Sequence, residues 1–266
     1  MSPSGNVDAK DVQTLRRATG AGFLDAKRAL ERTDSDMDAA ARLLREEGKA
    51  GAAKLAGREA SEGAVSLVLD GAGAIVELRC ETDFVAKSAD FVNTAQELAA
   101  AVAAGGEQAL TDRRDEVESL RAKVGENVSV GRVVRFERAP DHELDGYLHI
   151  QNDRGVNAVL VELEGGDQSV AHDLAMHIAF TRPEYLSRDE VPEDEIETER
   201  ATLVAQARNE GRPEQRIPMI VEGRLNGWFR DRSLLEQPFV RDEKQTIEKW
   251  LGTARVVRFA QVVVGA

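Results

Sequence analysis

The fold is decided by the stretch Val65-Ser-Leu-Val-Leu-Asp-Gly-Ala-Gly-Ala-Ile-Val-Glu-Leu-Arg-Cys80. Apolar side chains occupy every second position in its two halves: Val65, Leu67 and Leu69, then Val76, Leu78 and Cys80. A period of two is typical of a strand that buries one face. Because Gly71-Ala-Gly73 lies between the halves and glycine favours turns, the pattern predicts a β-hairpin.

The residues after this hairpin change to a helical period. A long helix is predicted from Asp83 to Ala104, because one face carries residues at spacings of four and three: Phe84, Ser88, Phe91, Ala95, Leu98 and Val102. A second helix is predicted over Asp112–Val124 and a strand over Val128–Arg138. Strands and helices in this order indicate an α+β protein.

The N-terminal part shows three short helical patterns between Asp8 and Gly48. Gly20-Ala-Gly22 separates the first two, and Thr33-Asp-Ser-Asp36 separates the second from the third and offers side-chain oxygens for an N-cap. We therefore predict a three-helix module over residues 1–48. Residues 49–60 are small or charged and have little to bury, so they are predicted to be a linker that can be helical.

A weak internal repeat predicts two related α+β lobes, over residues 61–140 and 141–266. Arg132-Val-Val-Arg-Phe136 recurs as Arg255-Val-Val-Arg-Phe259, and Ile75-Val-Glu-Leu78 recurs as Leu160-Val-Glu-Leu163. The second lobe has extra residues between its copies, and two helical patterns within them predict an inserted antiparallel helical hairpin at about residues 190–232. The repeats are short, so chance similarity between strands is the alternative.

The composition limits the possible partners. The 266 residues include 42% hydrophobic residues, and 35 Lys and Arg face 48 Asp and Glu, which gives a net charge of −13. Such a charge opposes binding to nucleic acid or to an anionic membrane. We expect no export signal or membrane span, a cytoplasmic location, and, with Cys80 the one cysteine, neither an internal disulfide nor a thiolate metal cluster. The sequence lacks the G-x-x-x-x-G-K-[ST] phosphate loop of GTPases.

Two motifs resemble signatures of the elongation factor Ts family. They are Leu15-Arg-Arg-Ala-Thr-Gly-Ala-Gly-Phe-Leu-Asp-Ala-Lys-Arg-Ala-Leu30 and Cys80-Glu-Thr-Asp-Phe-Val-Ala-Lys87. The resemblance implies a ubiquitin-associated-like N-terminal module, two core subdomains and an inserted helical hairpin. It also implies a guanine-nucleotide exchange factor for elongation factor Tu that binds the GDP-bound GTPase, disrupts its magnesium and phosphate site and releases GDP. No cofactor, metal, catalytic residue or nucleotide site of its own is expected.

The same resemblance assigns residues to the interface with elongation factor Tu. Thr82, Asp83, Phe84 and Val85, together with His149, would act in exchange, with Phe84 as a wedge between partner helices. Arg16, Phe23 and Leu24 would contact the partner through the N-terminal module. Each of the main residues has a structural alternative: periodicity alone favours Phe84 as a core residue of the helix that contains Phe91, Thr82 or Asp83 as an N-cap, and His149 as a partly buried strand residue.

Two other classes of function compete with this interpretation. In an enzyme, Cys80 would be a nucleophile served by His149, His172 or His177, with Asp83 as the orienting residue, although a cysteine at the end of an apolar strand is usually buried. In an adaptor, the helical module would bind ubiquitin-like or acidic partners. The negative charge and the two further lobes disfavour the adaptor.

Overall fold

The computed structural model describes residues 7–19, 21–55 and 57–266, with the backbone alone for residues 48–54. The chain begins with three helices, α1 (Ala9–Thr19), α2 (Phe23–Arg32) and α3 (Met37–Leu55). They share a small core: Val12, Leu15, Ala26, Ala29, Leu30 and Ala40. Because α3 ends at Leu55, much of the predicted linker is helical. Gly20, part of the predicted turn between the first two helices, lies outside the described residues, as do residues 1–6.

The first sheet contains the predicted hairpin. Its strands β1 (Glu62–Asp70), β2 (Ala72–Cys80) and β3 (Ser129–Glu137) are antiparallel, with β2 in the middle. The turn is tighter than the predicted Gly71–Gly73, because Asp70 pairs with Ala72 and leaves only Gly71 between the strands. Gly71 has a φ of 71°, a conformation that glycine adopts without steric cost.

The helices after β2 differ from the prediction in one respect. The single helix predicted from Asp83 to Ala104 is wrong: the structure has a one-turn helix, α4 (Asp83–Ala86), and a separate helix, α5 (Ala89–Gly105). Ser88, which was predicted to lie on the apolar face, has extended backbone and its hydroxyl accepts a hydrogen bond from the Phe91 amide at 3.4 Å. It caps α5, and the helix therefore starts anew there. Two helices follow, α6 (Gln108–Asp112) and α7 (Arg114–Val124).

The second sheet has the same arrangement of strands as the first. It consists of β4 (His142–Gln151), β5 (Arg154–Glu164) and β8 (Arg255–Val263), all antiparallel with β5 in the middle. Helix α8 (Gln168–Thr181) follows β5. The remaining elements precede β8 and include two helices, a two-stranded ribbon and a short helix: α9 (Glu193–Asn209), α10 (Ile217–Arg232), β6 (Pro238–Phe239), β7 (Asp242–Thr246) and α11 (Ile247–Leu251).

The two sheets pack face to face. Apolar side chains from both fill the space between them: Val65, Ile75, Phe136, Leu144, Ala158, Leu160 and Val262. The outer face of the first sheet packs against α5 and α7, and that of the second against α8 and α11. Glycines allow the close approach, since a Cβ on Gly73 would lie 2.7 Å from Leu160 Cδ2 and one on Gly155 would collide with the carbonyl oxygen of Val65. The order of layers is helix, sheet, sheet, helix.

Only one of the two predicted repeats marks equivalent positions. Residues Ile75–Leu78 and Leu160–Leu163 lie in the middle strands β2 and β5. The other two copies lie in β3 and β8, but Phe136 faces the opposite sheet while Phe259 packs against the helical side. Successive side chains of a strand alternate in direction, so the two copies are out of register by an odd number of residues. The prediction of equivalence is wrong for this pair.

Helices α9 and α10 form a unit with a hydrophobic cluster of its own. The cluster contains Val191, Leu203, Ala207, Ile217, Val221, Leu225 and Phe229. Arg200 on α9 pairs with Glu222 on α10, and Arg208 near the end of α9 pairs with Glu214 just before α10, so the two helices run antiparallel. Pro218 lies in the first turn of α10, where its missing N–H has no intrahelical acceptor to lose.

Candidate functional site

The segment Thr82–Val85 presents an aromatic side chain to solvent directly after the buried strand β2. The Thr82 hydroxyl accepts a hydrogen bond from the Val85 amide at 3.4 Å and so caps α4. Phe84 is 75% exposed, whereas Phe91, seven residues later, is fully buried. The alternative that Phe84 belongs to the core is therefore wrong, because the break at Ser88 separates Phe84 from the apolar face of α5. Val85 is partly buried against the core under α5.

Lys87 joins the two neighbouring side chains of this segment. Its ammonium nitrogen donates to Asp83 Oδ2 at 3.0 Å and lies 4.4 Å from the centre of the Phe84 ring. The hydrogen bond from Lys87 lowers the pKa of the Asp83 carboxyl, so Asp83 stays ionised. Cation–π contact and ion pair together favour one arrangement of Asp83 and Phe84. The sequence motif contains Lys87, but periodicity gave it no role.

Arg154, the first residue of β5, joins that strand to the start of β1. Its guanidinium donates to Glu62 Oε2 and to the Gly63 carbonyl oxygen, both at 2.8 Å. It also lies close enough to Asp83 to contribute to the lowered pKa of that carboxyl. No pattern in the sequence indicated Arg154, because its partners precede it by about ninety residues.

His149 lies on β4 and is exposed, which differs from the partly buried histidine that its position in an apolar strand suggested. The Tyr147 hydroxyl is 3.4 Å from His149 Nδ1, and the two rings stack with centres 6.4 Å apart. Both rings and Arg154 line one open groove of about 740 Å³ that also contains the exposed Phe180. The structure therefore places His149 and Arg154 along the same groove.

The N-terminal module presents a second apolar surface. Phe23 and Leu24, in the first turn of α2, are 48% and 63% exposed. Leu24 therefore lies outside the core of the three helices, whereas Ala26 is buried in it. Arg16 is exposed, and its Nε donates to the Ala21 carbonyl oxygen at 3.4 Å. Gly22 precedes α2 as its N-cap residue.

The thiol of Cys80 is unsuited to nucleophilic catalysis. It is fully buried beneath α5, and burial raises the pKa of the thiol to about 12. Its Sγ is 3.2 Å from the Thr82 carbonyl oxygen, which accepts the S–H. His177 is buried elsewhere against Gln237, and burial lowers its pKa, while His172 faces Asp145. A protonated, buried thiol does not attack a substrate, so the enzyme alternative is wrong.

Replacing Cys80 with alanine should leave the exchange activity that the family resemblance implies nearly intact. The substitution removes one sulfur atom from a packed core and should cost about 1 kcal/mol of stability through a small cavity. A thermal melt and an exchange assay on the same preparation check both parts. Complete loss of exchange in a folded Cys80→Ala variant would contradict the structural role of this residue.

In the part of the chain that the structure describes, no group of three histidine, cysteine, aspartate or glutamate side chains is arranged to hold a metal ion. Within the same residues, no helix combines the length and the apolar character needed to cross a membrane.

Comparison with known proteins identifies the family. The sequence model described as elongation factor TS matches residues 81–266. The chain is 40% identical to elongation factor Ts of Deinococcus deserti over 97% of this chain and 99% of the relative. It is 45% identical to that of a Nocardioides species, over 98% and 99%, and 43% identical to that of Mycobacterium bovis, over 98% of each. On this evidence, the chain belongs to the elongation factor Ts family.

Proposed function

We propose that this protein is the guanine-nucleotide exchange factor for elongation factor Tu. It would bind the GDP-bound GTPase, disrupt the magnesium and phosphate site, release GDP and so allow GTP to bind during translation elongation in the cytoplasm. The family consists of elongation factors and not of enzymes in the usual sense. The observation that carries the proposal is the exposed Phe84, which sits in a capped single turn with Asp83 beside it.

Exchange of this kind needs no bond to be made or broken. A second protein weakens nucleotide binding when it prefers the empty, distorted GTPase to the filled one. By thermodynamic reciprocity, the factor lowers the affinity for GDP by the same ratio by which GDP lowers the affinity for the factor. An exchange factor of this kind therefore needs side chains that enter the partner.

Phe84 and Asp83 are the side chains that would enter the partner, on the side of the GTPase that holds magnesium. An exposed aromatic side chain that becomes fully desolvated on binding is the usual kind of interface hot spot. We propose that Phe84 enters between helices of the partner, that the ionised Asp83 acts near the metal site, and that Thr82 and Val85 fix the turn. His149 would contact the partner from the neighbouring groove.

The N-terminal module would provide the second contact. We propose that residues 1–48 form a ubiquitin-associated-like domain, joined by residues 49–60 to core lobes over residues 61–140 and 141–266, the latter with the helical hairpin at about 190–232. Phe23 and Leu24 expose apolar surface at the start of α2, and Arg16 is exposed on α1. Exposed aromatic, apolar and arginine side chains of this kind are typical of surfaces that bind another protein.

Catalytic amounts of this protein should accelerate the release of fluorescent GDP from elongation factor Tu in a stopped-flow experiment. Calorimetry with the isolated chain should detect no binding of GDP or GTP, because the sequence has no phosphate loop. An unchanged rate of release at micromolar concentrations of the protein would refute the proposed function. Binding of nucleotide to the chain alone would refute the expectation that it acts only through its partner.

A further inference from the structure

The turn that follows α7 holds the Thr82–Val85 segment through one carboxylate. Glu126 Oε2 accepts hydrogen bonds from the backbone amides of Glu81 at 3.1 Å and Thr82 at 3.0 Å. Its other oxygen, Oε1, accepts the Thr82 hydroxyl at 2.6 Å. Hydrogen bonds to an ionised acceptor are stronger than those between neutral groups. Three of them converge on the two residues immediately before Asp83.

The connection is reciprocal. Glu81 Oε1 accepts the Asn127 amide at 2.7 Å, so each of the two segments donates a backbone amide to a glutamate of the other. Gly125 makes the geometry accessible: it ends α7 with a φ of 73°, a left-handed conformation that turns the chain toward the segment. We call these contacts of Glu81, Thr82, Glu126 and Asn127 the loop clamp.

The loop clamp also reaches the connection to the N-terminal module. The buried Asn127 side chain donates to the Arg58 carbonyl oxygen at 2.7 Å, and Arg58 pairs with Glu81 at 3.6 Å. Arg58 lies three residues beyond the end of α3. The same turn therefore holds both the Phe84 segment and the chain that leads to Phe23 and Leu24.

We propose that Glu126 is a positioning residue for nucleotide exchange, which presents Asp83 and Phe84 to the GTPase in one fixed orientation. This inference rests on the proposed function. A segment that is ordered before binding loses less conformational entropy in the complex, so preorganisation increases affinity without any added contact. Glu126 acts through Thr82 and Glu81 and needs no contact of its own with the partner.

Replacing Glu126 with alanine should lower the efficiency of GDP release about tenfold, and amide hydrogen exchange at Glu81 and Thr82 should become faster in the free protein. Glu126→Gln should retain most activity, because its carbonyl oxygen can accept both amides and its NH₂ can donate to the Thr82 hydroxyl. Glu126→Asp keeps the charge but is one methylene shorter, so it should behave like alanine. If Glu126→Ala does not fold, the efficiency of GDP release by folded Glu126→Asp tests the inference in its place. Glu116→Ala, which removes the ion pair between Glu116 on α7 and Arg113, the residue before that helix, is the matched control.

A double substitution separates positioning from general destabilisation. In a Phe84→Ala background one of the two side chains that Glu126 presents is absent, so adding Glu126→Ala should lower the efficiency by about threefold instead of tenfold. An equal tenfold loss in both backgrounds would overturn the inference, as would full activity of a folded Glu126→Ala protein. If the unsubstituted protein released no GDP, the proposed function would fail first, while amide exchange would still show whether the clamp orders the segment.

Discussion

Replacing Phe84 with alanine should reduce the efficiency of GDP release at least tenfold and leave the melting temperature almost unchanged. The side chain is 75% exposed in the free protein, so its removal creates no cavity. In the complex it would be desolvated, and the loss of an aromatic hot spot typically costs about 2 kcal/mol or more, where about 1.4 kcal/mol corresponds to a factor of ten. The two measurements are a thermal melt and a stopped-flow rate on one preparation.

Phe91→Ala is the matched control for this prediction, because it makes the same chemical change seven residues later in a fully buried side chain. It should cost about 3–5 kcal/mol of stability. Asp83→Asn is a companion variant that should lower exchange without removing a polar group from the first turn of α4. A large fall in melting temperature for Phe84→Ala, with normal GDP release by the folded fraction, would refute the role of Phe84 as a wedge.

Replacing Glu77 with alanine should lower the free energy of unfolding by about 1–3 kcal/mol, because the change removes the acceptor of the half-buried Arg79 guanidinium and of the Arg132 amide. Glu77 is fully buried on the middle strand β2, where Oε2 lies 2.8 Å from Arg79 Nη2 and accepts the Arg132 amide at 3.0 Å. The midpoint and slope of urea unfolding measure the change.

Glu137→Ala is the control for the Glu77 prediction, because Glu137 pairs with Arg135 at the exposed end of β3. Its removal should leave the stability nearly unchanged, as is usual for surface ion pairs. Equal and small effects of the two substitutions would show that the Glu77 network does not stabilise the fold.

Local patterns predicted the elements of this fold better than the way they pack. The alternation in Val65–Cys80 predicted the hairpin, but it gave no sign that both faces of β2 are buried, since the second sheet that covers one face lies eighty residues further on. The seven-residue spacing of Phe84 and Phe91 suggested one continuous helix. The cap at Ser88 interrupts that spacing, and a serine within an apolar face gives only a weak signal for a cap.

The candidate site shows the same limit. The motif at Cys80–Lys87 indicated the exposed segment because its residues are adjacent in sequence. Glu126 reaches the segment, and Arg154 reaches the start of β1, from distant parts of the chain, and a lone charged residue in a polar turn looks like ordinary surface. Hydrogen bonds over such separations become visible only when the tertiary structure is known.

The attachment of the α9–α10 hairpin has a consequence for how the protein can evolve. The Leu234 amide donates to the Tyr185 carbonyl oxygen at 2.9 Å, and the Tyr185 amide donates to the Arg232 carbonyl oxygen at 3.1 Å, so the chain leaves and re-enters the core at one point. The entropy of closing a loop grows slowly with its length, by about 0.6 kcal/mol for each doubling. Insertions or deletions can therefore lengthen or shorten the α9–α10 hairpin while the strands on either side of it keep their positions.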